Sequence, residues 1–258
     1  MQTITHHGRT TAYEVSDRGG DRAPVMFVHG SGGTHHLWKS QARLSDERPV
    51  ITLDLSGHGE SEDIDADPGY ETLSAYADDV LAVAEETDAR IVVGNSLGGA
   101  IALHVLLERD HDFDGVVLAG TGAKLAVLDD LREWLATDFD RAVEFLHGED
   151  RLFHDPDPQL EELSIQGMRA CGRAVTERDF LTCHEYDVRD DVGDIDVPAL
   201  CLVGEHDYLT PPHYHEFLAE RIDDCELTVV EEAAHLAMLE QPEAFNAAVA
   251  GFCERLEE

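Results

Sequence analysis

Short, strongly apolar runs recur along the chain, separated by longer stretches in which apolar residues follow a helical spacing. The clearest runs are "PVMFVHG", "PVITLDL", "IVVGNS", "GVVLAGTG", "PALCLVGEHD" and "LTVVEEAAH". Runs that are apolar at successive positions are typical of parallel strands covered by helices on both faces. Near the N-terminus, "TITHH" and "TAYEVSD" predict an antiparallel hairpin at the edge of the same sheet. The pattern therefore predicts an α/β protein with a mostly parallel sheet.

Helical spacing is clearest over residues 73–84, 97–107 and 245–256. Between the sixth and seventh predicted strands, the alternation of strands and helices stops, and only short helical patterns are found. We expect this stretch to form a helical cap, or lid, over the carboxyl edge of the sheet. The predicted domains are a core of residues 1–122 and 195–258 and an inserted cap of residues 123–194.

Acidic residues dominate the charge of the chain, with 55 Asp and Glu against 18 Lys and Arg and a formal net charge of −37. They are spread along the chain, and like-charge repulsion argues against nucleic acid or an anionic membrane as a partner. The composition resembles that of proteins from salt-accumulating halophiles. It predicts a protein that loses structure in dilute buffer and regains it in molar salt.

The remaining composition predicts a cytoplasmic protein with reduced thiols. No apolar run approaches the ~20 residues of a membrane-spanning helix, and the N-terminal "MQTITHHGRT" lacks a secretory signal. The five cysteines include no Cys-x-x-Cys spacing, so neither a disulfide framework nor a zinc site is expected.

The segment "GNSLGG" places Ser96 between glycines, where a predicted strand becomes a predicted helix. This Gly-x-Ser-x-Gly pattern is a nucleophile elbow, which exposes a serine hydroxyl on a sharp turn. A serine nucleophile needs a base and an orienting carboxylate, and two later strand ends offer Asp207 and His235. The backbone N–H groups of Leu97 and Ser31 are the predicted oxyanion-hole donors.

These motifs resemble those of the α/β-hydrolase superfamily. The resemblance rests on "HGSGG" at 29–33, "DLSGHGES" at 54–61, "GNSLGG" at 94–99, "GEHD" at 204–207 and "AH" at 234–235, in that order. It implies an eight-stranded sheet, a helical lid between strands six and seven, and no cofactor. It also implies that His29 packs under the oxyanion loop and that His58 belongs to the turn after the fourth strand. Asp54 is expected to fix that turn through local hydrogen bonds.

Three further pairs of histidines, His6–His7, His35–His36 and His213/His215, are interpreted as surface residues, because no spacing completes a metal site with a third ligand. No metal is predicted. Several large apolar residues are candidates for the substrate pocket: Trp38, Leu128, Trp134, Phe139, Phe145, Met168 and Phe180.

A serine nucleophile favours hydrolysis of a carboxylic ester or lactone through an acyl-enzyme, and the resemblance is to the esterase and enol-lactonase branch. One alternative is a C–C bond hydrolase of ring-fission-type diketones, although Leu236 stands where those enzymes usually carry Trp. A second alternative is a non-catalytic ligand-binding member of the fold. The expected partner is a small molecule with an apolar acyl part, because the acidic surface disfavours a strongly anionic substrate. The pattern specifies no oligomeric state.

Overall fold

The computed structural model describes residues 1–257 and contains one eight-stranded sheet in the order β1-β2-β4-β3-β5-β6-β7-β8. Only β2 runs against the other strands, because it pairs antiparallel with both β1 and β4. The mostly parallel sheet with an antiparallel N-terminal hairpin is therefore confirmed. The strands are β1 (Gln2–His6), β2 (Arg9–Ser16), β3 (Val25–Val28), β4 (Val50–Leu53), β5 (Ile91–Asn95), β6 (Gly115–Ala119), β7 (Ala199–Gly204) and β8 (Cys225–Val230).

Nine α-helices connect or follow these strands in the described residues. They are α1 (Tyr70–Thr87), α2 (Leu97–Glu108), α3 (Asp129–Thr137), α4 (Phe139–Leu146), α5 (Pro158–Cys171), α6 (Arg173–Glu185), α7 (Pro212–Arg221), α8 (Ala237–Glu240) and α9 (Pro242–Arg255). Three short 3-10 turns lie at His35–Trp38, Gln41–Asp46 and Val192–Asp194. No helix within residues 1–257 combines the length and apolar character needed to cross a membrane.

The central strands are buried on both faces, which explains their near-continuous apolar sequences. Successive residues point to opposite sides, so Met26 and Val92 join one core cluster while Phe27 and Val93 join the other. Helices α1 and α2 cover the first side. Helix α9 and parts of the segment between β6 and β7 cover the second.

Helices α3 to α6 follow one another between β6 and β7, and we refer to residues 129–185 as the helical insert. Its last helix, α6, packs against α1 and α2. Helix α7, by contrast, was not predicted from the sequence. It buries only His215 and Leu218, which is too few apolar positions to give a helical pattern.

Candidate active site

Ser96 occupies the sharp turn between β5 and α2 that the sequence predicted. Its backbone adopts φ 55° and ψ −116°, a positive φ that is strained for a residue with a side chain. The flanking glycines are required by packing. A Cβ on Gly94 would collide with the Gly98 carbonyl, and one on Gly98 would collide with the Val28 carbonyl. The Ser96 N–H donates to Ala119 O on β6 at 2.9 Å, which fixes the turn against the sheet.

Asp207 and His235, which follow β7 and β8, meet at the carboxyl edge of the sheet. His235 Nδ1 lies 2.9 Å from Asp207 Oδ2, and the carboxylate is fully buried. The same carboxylate accepts hydrogen bonds from the Leu209 N–H at 2.8 Å and from the N–H and hydroxyl of Thr210 at 2.8 and 2.7 Å. Thr210 was not among the predicted site residues.

These donors keep Asp207 ionised although it is buried. Burial alone would raise the pKa of this carboxyl group, but the neighbouring His235 and the donors from Thr210 lower the pKa below its ordinary value. An ionised carboxylate can hold His235 Nδ1 as a hydrogen-bond donor, which leaves Nε2 as the nitrogen available to accept a proton.

Ser96 and His235 line one cavity of about 740 Å³, together with Gly30 to Gly33 of the loop after β3. The loop lies close to the elbow, since a Cβ built on Gly30 would be 3.0 Å from Ser96 Cβ. Within residues 1–257, the N–H groups of Ser31 and Leu97 donate to no other residue. Both are therefore available to a ligand oxygen, as an oxyanion hole requires.

The predicted pocket residues divide into two groups. Leu128, Phe145, Met168 and Phe180 line the cavity, all of them from the helical insert or the residue that precedes it. Trp38, Trp134 and Phe139 do not line it, and for these three the prediction was wrong.

The three side chains lie outside the cavity lining. Trp38 is buried in the core, 5.0 Å from the Phe27 ring, and Phe139 packs against the same core cluster. Trp134 lines an adjoining pocket of about 450 Å³, which shares Leu128 and Phe145 with the cavity.

A family model described as the Alpha/beta hydrolase family matches residues 25–248. The chain belongs to this family.

Several relatives of this alpha/beta hydrolase are esterases or lactonases by name. It is 31% identical over 251 residues to pimeloyl-[acyl-carrier protein] methyl ester esterase of Neisseria meningitidis serogroup A, covering 89% of this chain and 76% of the relative. It is 27% identical to 3-oxoadipate enol-lactonase 1 of Acinetobacter baylyi, covering 100% of this chain and 98% of the relative. A solved structure described as a thermophilic esterase superposes with a TM-score of 0.86 at 28% identity, covering 99% of this chain and 97% of the other.

Two histidines of the hydrolase lie behind the cavity and not on its lining. His29 Nε2 accepts from the Leu55 N–H at 3.1 Å, and burial together with the nearby His58 ring lowers the pKa of His29 to about 4. Burial also opposes the charged form of His58, but the Asp179 carboxylate 2.9 Å from its Nε2 raises the pKa of His58 well above its ordinary value. His29 is thus a neutral acceptor and His58 half of a buried ion pair.

Two of the six paired histidines that were interpreted as surface residues, His35 and His215, are buried. His35 is buried, and its N–H and Nδ1 lie 2.7 and 2.8 Å from Asp54 Oδ1. Asp54 also accepts from the Glu60 N–H, so it does fix the turn after β4. His215 is fully buried, accepts from the Thr121 N–H at 3.0 Å, and has its pKa lowered to about 4 by burial. Both rings satisfy buried polar groups.

One cluster of possible ligand groups was missed because one of its members, His206, is distant in sequence from Asp150 and His154. Asp150, His154 and His206 bring one ligand atom each to within 4.8 Å of one another. His154 Nδ1 lies 2.5 Å from Asp150 Oδ1, a hydrogen bond that raises the pKa of His154, and the His154 and His206 rings stack 3.7 Å apart. The cluster joins the helical insert to the turn that carries Asp207, since the Tyr208 N–H donates to Asp150 O at 3.0 Å.

Proposed function

We propose that this alpha/beta hydrolase is a serine hydrolase that cleaves a small to medium carboxylic ester or lactone through an acyl-enzyme. The observation that carries the proposal is the common cavity of Ser96 and His235, with His235 bonded on its far side to the buried Asp207. This arrangement supplies a nucleophile, a base and an orienting group in the order that nucleophilic catalysis requires.

In the first step, Ser96 Oγ attacks the carbonyl carbon of the ester while His235 Nε2 takes the serine proton. Asp207 holds Nδ1–H and stabilises the imidazolium that forms. The negative charge that develops on the carbonyl oxygen is stabilised by the N–H groups of Ser31 and Leu97, and such a donor generally contributes about 3 kcal/mol. The N-terminus of α2 adds a favourable dipole at Leu97.

The tetrahedral intermediate then collapses, the bond to the alcohol oxygen breaks, and His235 returns its proton to that oxygen. With an ester the alcohol leaves, whereas with a lactone it stays attached to the acyl chain. A water molecule, deprotonated by His235, next attacks the acyl carbon. The second collapse releases the carboxylic acid and returns the proton to Ser96 Oγ.

In this proposal the helical insert acts as a cap over the carboxyl edge of the sheet. Support comes from the side chains that it contributes to the cavity, among them Phe145, Leu160, Met168 and Phe180. Their apolar character fits a substrate with an apolar acyl part. The cap domain is proposed to span residues 123–194, with residues 1–122 and 195–258 forming the core.

The names of the relatives agree with ester or lactone hydrolysis, since they include a methyl ester esterase and an enol-lactonase. We therefore place C–C bond cleavage and non-catalytic ligand binding second. A binding protein would have no need for a buried carboxylate behind the histidine or for two unpaired N–H groups beside the serine.

The test is hydrolysis of p-nitrophenyl esters of increasing acyl length in molar KCl, comparing the wild type with Ser96→Ala. We expect turnover of short or medium esters, and a kcat lower by about 10⁴–10⁶-fold in Ser96→Ala. Circular dichroism on both proteins checks that they are equally folded. Turnover that persists in Ser96→Ala, or a folded wild type without turnover, would contradict the proposal.

A further inference from the structure

Lys39 is exceptional among the positive charges of this protein. The chain has 18 lysines and arginines, and within the described residues every one except Lys39 binds a carboxylate, a carbonyl oxygen or an aromatic ring through its side chain. The other lysine, Lys124, pairs with Asp187 at 2.9 Å. Four arginines also lack a carboxylate partner, but each of them binds a carbonyl oxygen or an aromatic ring, so within residues 1–257 only the Lys39 side chain has neither.

Lys39 is exposed and belongs to the lining of the cavity that contains Ser96. It directly follows the 3-10 turn His35–Trp38, which comes after the glycine-rich loop. Since it is both exposed and part of the lining, it stands where the cavity opens to solvent. The loop that carries the proposed oxyanion donor Ser31 therefore leads directly to this ammonium group.

The cavity itself excludes acids. Asp and Glu make up 55 of the 258 residues, roughly one in five, yet within residues 1–257 none of the residues that line the cavity is acidic. The lining is mostly apolar, and its exposed edge includes Leu128, Leu163 and Tyr208. The acids next to this lining include Asp129 and Asp130, which follow Leu128 and line the adjoining pocket.

We propose that Lys39 binds a carboxylate on the substrate, so that the hydrolase acts on an ester or lactone whose acyl chain ends in, or carries, one free carboxylate. A half-ester of a dicarboxylic acid is the simplest example. This inference rests on the serine-hydrolase function proposed above and names the class of its substrate. It narrows the expectation, drawn from the acidic surface, that a strongly anionic substrate is disfavoured, because the proposed substrate carries a single carboxylate.

The single ammonium group of Lys39 favours a substrate that carries one negative charge. One ammonium group is a compact point charge with three donors, which balances one carboxylate. An acid-free apolar wall allows the chain between the carboxylate and the ester to lie along it without repulsion. Elsewhere on a surface of net charge −37, the same anion is repelled.

The test compares the monomethyl and dimethyl esters of one dicarboxylic acid, over chain lengths from succinate to suberate. Lys39→Gln is the variant and Lys124→Gln is the matched control, since it removes the only other lysine, which lies outside the cavity lining. Measurements are made at the lowest KCl concentration at which circular dichroism shows folded protein, because salt screens exposed ion pairs.

We expect Lys39→Gln to lower kcat/KM for the half-ester about three- to five-fold, chiefly through KM, as befits a partly exposed ion pair. The fall for the diester should be clearly smaller than the fall for the half-ester, and Lys124→Gln should behave as the wild type with both esters. Equal effects of the two variants on both esters would overturn the carboxylate site while leaving the proposed function intact.

A wild type that cleaves neither ester would count against the proposed function. The carboxylate site at Lys39 is then tested by measuring ligand binding. Monomethyl adipate is titrated calorimetrically into Ser96→Ala and into Ser96→Ala with Lys39→Gln. Binding that the second substitution weakens supports the site at Lys39. Equal binding to both proteins, or none, overturns it.

Discussion

Asp207 shows how a buried charge is kept in place at the level of single residues. Its two oxygens receive hydrogen bonds from His235, Leu209 and both donors of Thr210. The Thr210 hydroxyl also lies 3.2 Å from His235 Nδ1, so this side chain contacts both members of the pair. In a low-dielectric interior each of these donors stabilises the ionised carboxylate.

Thr210→Val should therefore destabilise the protein by about 1.5–3 kcal/mol, the usual contribution of a hydrogen bond to a charged group. The pKa of Asp207 is lowered in the folded protein, so its contribution to stability is present above the pKa of an unfolded Asp and is lost as the pH falls through the folded-state pKa. Removing the donor raises that folded-state pKa. Acid unfolding, followed by circular dichroism, should then begin at a higher pH than in the wild type.

Thr210→Ser is the matched control, because it keeps the hydroxyl and removes only a methyl group. It should restore the acid-unfolding midpoint and most of the stability. If Thr210→Ser is as acid-sensitive as Thr210→Val, the effect is one of packing and the hydroxyl plays no part in holding Asp207.

The contrast between Asp207 and Thr210 shows what sequence can predict at this scale. Asp207 was found because it follows a predicted strand and precedes His235 in the order expected for the fold. Thr210 belongs to no motif, and its hydroxyl reaches the carboxylate only because the turn after β7 folds back on itself. Trp38, by contrast, was wrongly predicted to line the pocket. A large apolar residue near a loop gives the same sequence pattern whether it lies in the core or in a pocket, and Trp38 lies in the core.

At the scale of whole elements, helix α6 joins the helical insert to the core through one fully buried carboxylate. Asp179 accepts from the Gly32 N–H at 3.2 Å, from His58 Nε2 at 2.9 Å and from the Tyr76 hydroxyl at 2.7 Å. These three groups come from the glycine-rich loop, the turn after β4 and helix α1. Their common acceptor fixes the loop of the proposed oxyanion hole against the insert.

Asp179→Asn should destabilise the protein by about 3–5 kcal/mol, because it leaves the buried His58 without its counter-charge. The measurement is urea unfolding at fixed KCl concentration. In addition, a protease should cleave the helical insert faster in Asp179→Asn, because the hydrogen bonds that hold α6 to the core are weakened. Glu177→Gln is the control on the same helix, since its side chain makes no hydrogen bond within the described residues. Equal unfolding free energies for the two variants would mean that Asp179 does not anchor α6.

The elements differ in how much of them the sequence reveals. The parallel strands were predictable because burial on both faces forces near-continuous apolar runs such as Val25–Val28 and Ile91–Asn95. Helix α7 was not, because it buries a histidine and a single leucine and leaves the rest of its surface polar or partly exposed. The role of Asp179 in α6 could not be predicted from the sequence either. One aspartate among 55 acids gives no sign of a partner more than a hundred residues away.

At the scale of the whole molecule, the negative charge is concentrated on the outer surface. Within residues 1–257, only four acids are buried, namely Asp54, Asp79, Asp179 and Asp207, and each of them is hydrogen-bonded. The other acids are at least partly exposed, and 18 cations are too few to neutralise them. The folded state brings these charges closer together than the unfolded chain does, so self-repulsion opposes folding.

Added salt should therefore stabilise the protein strongly. The screening length falls from about 10 Å at 0.1 M salt to about 3 Å at 1 M, which removes most repulsion between exposed acids. We expect the Tm, followed by circular dichroism, to rise steadily as KCl is increased from 0.1 M to 3 M, with loss of structure at the lowest concentrations.

Sucrose at matched osmolality separates screening from the general effect of an excluded solute, because it favours compact states without carrying charge. If repulsion among the exposed acids is the cause, sucrose should give only a small part of the rise that KCl gives. A Tm that does not change with KCl, or one that rises equally in sucrose, would show that the surface charge is not what limits stability. The ion pairs on the surface, such as Arg90–Asp114 and Arg43–Glu243, weaken in the same salt, so a net rise in Tm means that relief of repulsion outweighs their loss.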